Sequence, residues 1–508
     1  MRTKKVFWNS ITSIIGQVIH LVVSLIAQAI FVKVLGDTYL GINSLFTQIM
    51  SMLSLMELGV GSAIVFSLYK PLTDKNYDQV AAIMNLYRKI YTYIGLGIAV
   101  LGLALTPFIQ YFTKEHIDYL NLKIVLILFT ANTSLSYFFI YKQNLIIADQ
   151  DKYISNINHY LFLTLCNIAQ IFILIKTRNY YFYLITNLIF TFSSNLCISM
   201  IANKRYPFLK KKCQTKVDKD TTEIIKKNTK ALIYHKIGDV GVNATDSLII
   251  SKFIGVAANG VNAKYLLVTN AINSILNQVF ASFTASIGNY SITKSKDKLL
   301  ELFYTVNYLG FVVVTVVSIT AFTVFNDFIH IVYPSSNTFG TWTVFVKIMV
   351  FYFSGMRLTI GTFKSATGLF WEDRYRPILE SAINIISSII LLHYFGIDGV
   401  FYGTIISNLC CNLVIEPYVL YHYRFFTSSV KYYQRYFIYV LISLVTGILV
   451  TSITSRIAAS GLIMWIVKAL VTFILSGLLV TLPFMKTKEY QALKNKALLL
   501  VKHRSKAI

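Results

Sequence analysis

Several marks of catalysis are missing from the 508 residues: no GxxxxGK[ST] loop to cradle nucleotide phosphates, no HExxH pair for zinc, no GxSxG elbow for a nucleophilic serine. Gly36 and Gly41 have the glycine separation of the first, but Ile42 and Asn43 follow where Lys and Ser or Thr are required. The five cysteines, Cys166, Cys197, Cys213, Cys410 and Cys411, show no metal-ligand spacing, and His159, His330 and His393 stand apart. These absences speak against nucleotide hydrolysis, metal chemistry and acyl transfer, and a protein without enzymatic activity is expected.

Charge is scarce as well. Only 14% of residues are charged and 55% are hydrophobic. A chain of this length has room for roughly three or four soluble domains, yet apolar runs of about twenty residues, the length that crosses a bilayer as helix, recur throughout. The runs are continuous, not alternating, which excludes a membrane β-barrel. The first follows the basic start MRTKK, is too long for a signal peptide and leads directly into another run, so an uncleaved first helix is expected. The fold class is therefore an all-α polytopic membrane protein of about fourteen transmembrane helices. They are expected near 6–32, 39–69, 90–113, 119–148, 154–175, 180–202, 231–251, 262–290, 300–325, 341–370, 378–395, 398–422, 436–455 and 459–484.

The net charge of +25 does not point to nucleic acid, because most basic residues fall in short loops between spans. Taking loops alternately, one side (the N-terminus, 70–89, 149–153, 203–236, 291–299, 372–377, 423–435 and 485–508) holds 34 of the 47 Lys and Arg. The opposite loops hold seven: Lys33, Lys114, Lys123, Lys176, Arg178, Lys252 and Arg456. The positive-inside rule then puts both termini in the cytoplasm, as an even number of spans requires. The basic loop 203–236 reads as an anchor beside anionic headgroups or as a regulatory linker. The tail reads as a basic amphipathic helix on the inner leaflet.

The chain also repeats itself. FVKVLGDTYLGIN (31–43) returns as ISKFIGVAANGVN (250–262), matching Lys33 with Lys252, Gly36 with Gly255, Gly41 with Gly260 and Asn43 with Asn262 at an offset of 219. KQNLIIADQDKY (142–153) returns as KSATGLFWEDRY (364–375) at 222, matching Lys142 with Lys364 and Asp151 with Asp373. Spans 1–6 thus map onto spans 7–12 as a parallel repeat, the arrangement in which substrates bind between halves that rock. Expected domains are an N-lobe at 1–203, a basic linker at 204–230, a C-lobe at 231–424, and helices 13–14 with a basic tail at 425–508, the last an appendage outside the repeat. The four motif glycines are expected to make a tight turn on the outer face.

Ionisable groups inside spans are costly and usually face a cavity or a partner. Ser354, Arg357, Gly361, Lys364 and Gly368 follow steps of three and four and share one helix face. Arg357 is too deep to reach the surface easily and is expected to bind anion in a cavity. Lys364 and its counterpart Lys142 either snorkel to the surface or face inward with it. Facing inward, these cations suit a phosphate or pyrophosphate. Glu57, Asp239 and Asp246 break the repeat's symmetry and are candidates for gating or ion coupling; for Glu57 an internal ion pair or capping role is the alternative. His20 is either functional or a satisfied interior histidine.

The stretch VKVLGDTYLGINSLFTQIMSMLSLMELGVGSAI resembles the opening of Wzx-type polysaccharide repeat-unit flippases of the multidrug/oligosaccharidyl-lipid/polysaccharide exporter superfamily. Leu35-Gly36, Tyr39, Gly41 and Glu57-Leu58-Gly59 carry the resemblance, with Leu40 inserted between Tyr39 and the second glycine. It implies two six-helix lobes in a V with two extra helices. The substrate it implies is an undecaprenyl-pyrophosphate-linked oligosaccharide, moved from the inner to the outer leaflet of a bacterial plasma membrane for capsule, exopolysaccharide or O-antigen assembly. Polysaccharide polymerase and glycosyltransferases would be partners beside membrane lipids. No cofactor is expected, only a coupling ion, H+ or Na+, or the membrane potential. Related peptidoglycan-precursor flippases use basic residues in the first helix, where this chain has only Gln17, His20 and Gln28 at depth. Two other readings are carried: a multidrug-extrusion cation antiporter of the same superfamily, for which Asp239 and Asp246 speak, and a non-transporting scaffold, against which the buried charges speak.

Overall fold

The structure, a computed structural model, describes residues 2–57, 60–115, 117, 120–210, 237–238, 240–242, 244–334, 337–369 and 371–495. Every regular element among them is helical. Among the described residues twelve helices are long and apolar enough to cross a membrane, and each coincides with one of the expected runs. Two runs differ. The run 39–69 is divided into helices Asp37–Leu53 and Val60–Thr73 by the short 3-10 turn Ser54–Glu57. The run 231–251 lies mostly outside the described residues and ends in the short helix Thr245–Ile249, which passes into a π-helical turn, Ile250–Ile254.

The chain forms two compact units, 1–263 and 264–508. The first unit takes in the second copy of the repeated motif, because that copy packs on the first. Its long helices begin at Asn76, Asn121 and Asn179, whose side chains accept the exposed first-turn N–H groups of Tyr77–Leu105, Leu122–Ala148 and Tyr180–Arg205. Polar groups hold helix Arg2–Leu35 along Lys152–Thr177. The Asn9 carboxamide accepts from the Tyr153 N–H at 2.7 Å, and Asn167 donates to Ser24 Oγ at 3.1 Å. In lipid, where apolar contact gives little preference for protein over tails, such bonds fix which helices pair.

The second unit is centred on Lys296–Val332, against which Thr341–Met356, Val430–Thr454 and Leu462–Thr481 pack. Phe311 stacks on Tyr439 with ring centroids 4.0 Å apart. Lys468 pairs with Asp327 at 2.7 Å, and the Trp465 indole N–H donates to the Val324 carbonyl at 3.0 Å. The last two helices, expected as an appendage, are built into this unit's core. Arg376–Phe395 and Ile397–Ser407 approach closely at Gly399 and Gly403, a small-xxx-small pair; a Cβ on Gly403 would stand 2.2 Å from Ser388 Oγ.

Candidate substrate and coupling sites

In the second unit three spans converge on a network of six charges. Thr341–Thr367, whose helical ladder is interrupted at Arg357, supplies Arg357 and Lys364. Arg376–Phe395 supplies Arg376 and, one turn on, Glu380. Ile397–Phe425 supplies Glu416, after a π-helical turn at Asn408–Asn412 and just before Pro417. Asp373 enters from the connecting loop. Glu416 is the hub. Its two oxygens accept from Arg357 Nε and Nη2, both at 3.2 Å, and it also meets Lys364 at 3.4 Å and Arg376 at 3.4 Å. Lys364 is bonded to Asp373; Arg376 bonds Asp373 at 3.1 Å and Glu380 at 2.7 Å. Asn412 donates to Glu380 at 2.6 Å and accepts from Arg376. Three cations meet three carboxylates, the condition under which charge persists at low dielectric.

This arrangement changes two expectations. Lys364 neither snorkels nor faces a cavity: its side chain is 6% exposed and enclosed by acids. Arg357 has carboxylate partners that the sequence reading did not give it. It is the open end of the network, 30% exposed, and lines a narrow cavity with Met356, Asn408, Tyr432 and Tyr436. Under the 222-residue offset Arg357 falls on Leu135 and Glu380 on Asn158, so the network belongs to the second half alone.

The first unit handles charge differently. Glu57 ends the 3-10 turn that divides the second run, and tyrosine hydroxyls hold its carboxylate: Tyr91 at 2.9 Å and Tyr137 at 3.4 Å. Among the described residues no cation pairs with it. The Tyr87 hydroxyl donates to the Gly61 carbonyl at 3.3 Å, taking up a backbone group beside the interrupted helix. Lys142 Nζ donates to Ser199 Oγ at 2.7 Å. His20 is half-buried, 3.3 Å from Ser24 Oγ. Asp246 sits, half-buried, in the helix Thr245–Ile249, which packs on Asp37–Leu53. Asp239 lies outside the described residues.

The repeated motif meets itself. Gly36 (φ 90°) and Gly255 (φ 141°) make the turns, in conformations that side chains resist. Gly41 and Gly260 lie beyond them, inside helices Asp37–Leu53 and Val256–Thr293. A Cβ on Gly41 would stand 1.8 Å from the Val256 carbonyl oxygen, and one on Gly260 would stand 1.9 Å from that of Asp37. Asn259 donates to the Gly41 carbonyl at 3.0 Å. Glu115 accepts from the Val256 N–H at 3.4 Å, and Lys114 donates to the Ile254 carbonyl at 3.4 Å. Lys33 is exposed, and Lys252 lies over the Tyr111 ring at 5.7 Å.

Sequence reasoning missed Arg376, Glu380 and Glu416, and three further buried lysines. Lys264 donates to the Asn337 carbonyl at 3.0 Å, Lys347 lies over the Phe401 ring at 4.6 Å, and Lys468 pairs with Asp327. A signal existed for the network. Arg376, Glu380, Asn384 and Ser388 recur every four residues, and so do Thr404, Asn408, Asn412 and Glu416. All eight are buried.

The architecture is that of a polytopic helical membrane protein, and solved structures of transporters share it. The chain is similar to the lipid II flippase MurJ in an inward closed conformation, with a TM-score of 0.67 and 13% identity over 94% of this chain and 98% of that one. It is similar to a multidrug resistance MATE family transporter of the MOP superfamily in an inward-facing conformation, with a TM-score of 0.61 and 14% identity over 82% and 97%. A MOP superfamily transporter from Pyrococcus furiosus, described as having a binding pocket of reverse polarity, gives 0.55 and 14% over 84% and 97%. No family profile matches the chain, and no curated protein sequence matches it.

Proposed function

We propose that the protein is a lipid-linked oligosaccharide flippase of a bacterial plasma membrane. Its substrate is an undecaprenyl-pyrophosphate-linked repeat unit, moved to the outer leaflet for capsule, exopolysaccharide or O-antigen assembly. The observation that carries this reading is the extent of the structural likeness. MurJ matches 94% of the chain, whereas the MATE transporter leaves nearly a fifth unmatched. The likeness that takes in more of the chain is the better guide to what is moved. Lys142, bonded to the Ser199 hydroxyl and paired with no carboxylate among the described residues, favours an anionic headgroup over a cationic drug. Polymerase and glycosyltransferases acting on the same glycolipid are the partners this role requires.

Glu57 supports a second element of the proposal, ion coupling. A carboxylate within a divided span, held only by neutral hydroxyls among the described residues, is suited to take up H+ or Na+ during the cycle. With no nucleotide motif, transport then draws on such an ion or on the membrane potential.

The test uses the purified full chain in proteoliposomes with a fluorescent undecaprenyl-pyrophosphate oligosaccharide and, separately, ethidium. Protein-dependent exchange of the glycolipid between leaflets, lost in Arg357→Ala with incorporation unchanged, is expected. Ethidium transport without glycolipid movement would instead establish the cation antiporter.

A further inference from the structure

One position of the repeat is built in opposite ways in the two halves. The offset of 219 that joins the repeated motifs also joins Asn76 and Ser295, the N-caps of Tyr77–Leu105 and Lys296–Val332. It places Glu57 on Leu276, Gly61 on Phe280 and Tyr91 on Gly310, and the offset of 222 places Tyr137 on Thr359. The second-half residues make an apolar plug. Leu276 and Phe280 are buried in the unbroken helix Val256–Thr293. The Phe280 ring fills the room at Gly310, where a Cβ would stand 3.4 Å from it and 2.8 Å from Thr359 Oγ1.

In the first half the large and small residues are exchanged, and the contact is polar. Gly61 leaves the room: a Cβ there would stand 2.7 Å from the Tyr91 hydroxyl and 2.8 Å from Glu57 Oε1. Tyr91 and Tyr137, with ring centroids 6.0 Å apart, donate to the two Glu57 oxygens, and Asn144 donates to the Tyr91 hydroxyl at 3.5 Å. The Tyr87 ring stands 5.8 Å from that of Tyr91, with its hydroxyl turned to the Gly61 carbonyl. The helices around the turn are Asp37–Leu53, Val60–Thr73, Tyr77–Leu105 and Leu122–Ala148. Among the described residues none of them brings a cation or a second acid to Glu57, and Lys142 on the last is bonded to Ser199.

What such a site takes up depends on where its hydrogens point. The hydroxyls at the carboxylate donate to it, and the Tyr91 oxygen already accepts from Asn144. A metal cation needs several oxygens with free lone pairs, so these groups would have to turn around. A proton asks for less. Added from bulk water to one Glu57 oxygen, it leaves the other to accept a single hydroxyl. The neutral side chain no longer requires two donors and fits a continuous helix, as Leu276 does. We infer that Glu57 is a proton-operated latch. Ionised, it is held by Tyr91 and Tyr137 and keeps its span divided at Ser54–Glu57; protonated, it releases them and the span becomes continuous. The latch rests on the ion-coupling reading above and narrows it to H+ and to the element that the proton moves.

The experiment puts nitroxide labels at Thr47→Cys and Lys70→Cys, both exposed and on either side of the turn, in a full chain otherwise free of cysteine and held in nanodiscs. Pulsed electron resonance measures the distance between labels from about pH 5 to about pH 9 in potassium buffer, and again with sodium added at constant pH. The distance is expected to shift with pH and not with sodium. Glu57→Gln should hold the low-pH distance throughout, and Glu57→Asp should keep the shift. The pH series is read with Glu57 in place, so a misfolded variant cannot produce it. A shift that persists in Glu57→Gln overturns the latch. A distance that answers to sodium alone overturns the proton and leaves ion coupling at Glu57. A distance that answers to neither overturns the latch, and glycolipid exchange that still accelerates under a pH gradient in proteoliposomes would then keep ion coupling but move it away from Glu57. A pH shift without any glycolipid exchange supports the latch and removes only the lipid-linked substrate.

Discussion

Gly41 and Gly260 show how one missing side chain can decide a contact. Each lies where a Cβ would collide with a carbonyl oxygen of the opposing copy, at 1.8 and 1.9 Å. Those atoms are backbone and have no rotamer to move into. The close approach also brings Cα–H groups toward carbonyl oxygens, a weak attraction that recurs where helices pack at glycine. Gly41→Ala and Gly260→Ala should each destabilise by about 1–3 kcal/mol through overpacking, lowering the unfolding midpoint in detergent. Because both relieve or strain the same contact, the double variant should lose less than the sum. Gly361→Ala is the control: nothing lies within 4 Å of its Cβ position, and alanine favours the helix there. The recurrence of these glycines was visible in the sequence, but their role was not. A glycine needed for positive φ and one needed for packing look alike in the chain. Only the structure separates Gly36 and Gly255, which turn, from Gly41 and Gly260, which let the copies touch.

Between residue and whole lies the span Ile397–Phe425, which shows why part of the charged network was hidden. Steps of four residues drift by about 40° each on a 3.6-residue helix, so Thr404, Asn408, Asn412 and Glu416 would spiral off one face. The π-helical turn at Asn408–Asn412 takes up an extra residue and draws Asn412 and Glu416 back toward Arg376 and Glu380. A reading based on regular helices cannot see that correction. It also counted Arg376 among loop residues, although that side chain is 8% exposed inside the bundle. Arg357 and Lys364 were visible because a cation in an apolar run stands out; the acids that hold them sit near span ends and do not. The network's asymmetry makes a prediction. Glu416→Ala leaves three cations facing two carboxylates and should cost about 3–5 kcal/mol, the price of breaking a buried pair from one side. Arg357→Ala should cost less, since Glu416 keeps Lys364 and Arg376 and Arg357 is the most exposed of the six. Thermal unfolding in detergent should rank Glu416→Ala below Glu416→Gln and both below Arg357→Ala; the reverse order would mean that Arg357, not Glu416, organises the centre.

At the scale of the molecule the open quantity is how often the chain crosses the membrane. Among the described residues twelve helices qualify by length and composition. The run 39–69 is divided, and the run 231–251 lies mostly outside the described residues. If both cross, the count is fourteen; if neither does, it is twelve. Both are even, so the termini share a side in either case, and locating them decides nothing. The loops between the two runs do decide it, because their side reverses. Asp37–Leu53 and Val60–Thr73, with 17 and 14 residues at 1.5 Å each, are together long enough to cross even with a break between them. The basic loops 149–153 and 203–236 join the side of the N-terminus only if the run 39–69 crosses and the side of the basic tail only if the run 231–251 does, and the positive-inside rule favours both. Single cysteines placed in a cysteine-free chain read this directly. Gln150→Cys, Lys298→Cys and Lys488→Cys should react with an impermeant maleimide only after cells are opened, whereas Arg178→Cys and Arg456→Cys should react in intact cells. Labelling of Gln150→Cys from outside, with Lys488→Cys protected, would reduce the count to twelve.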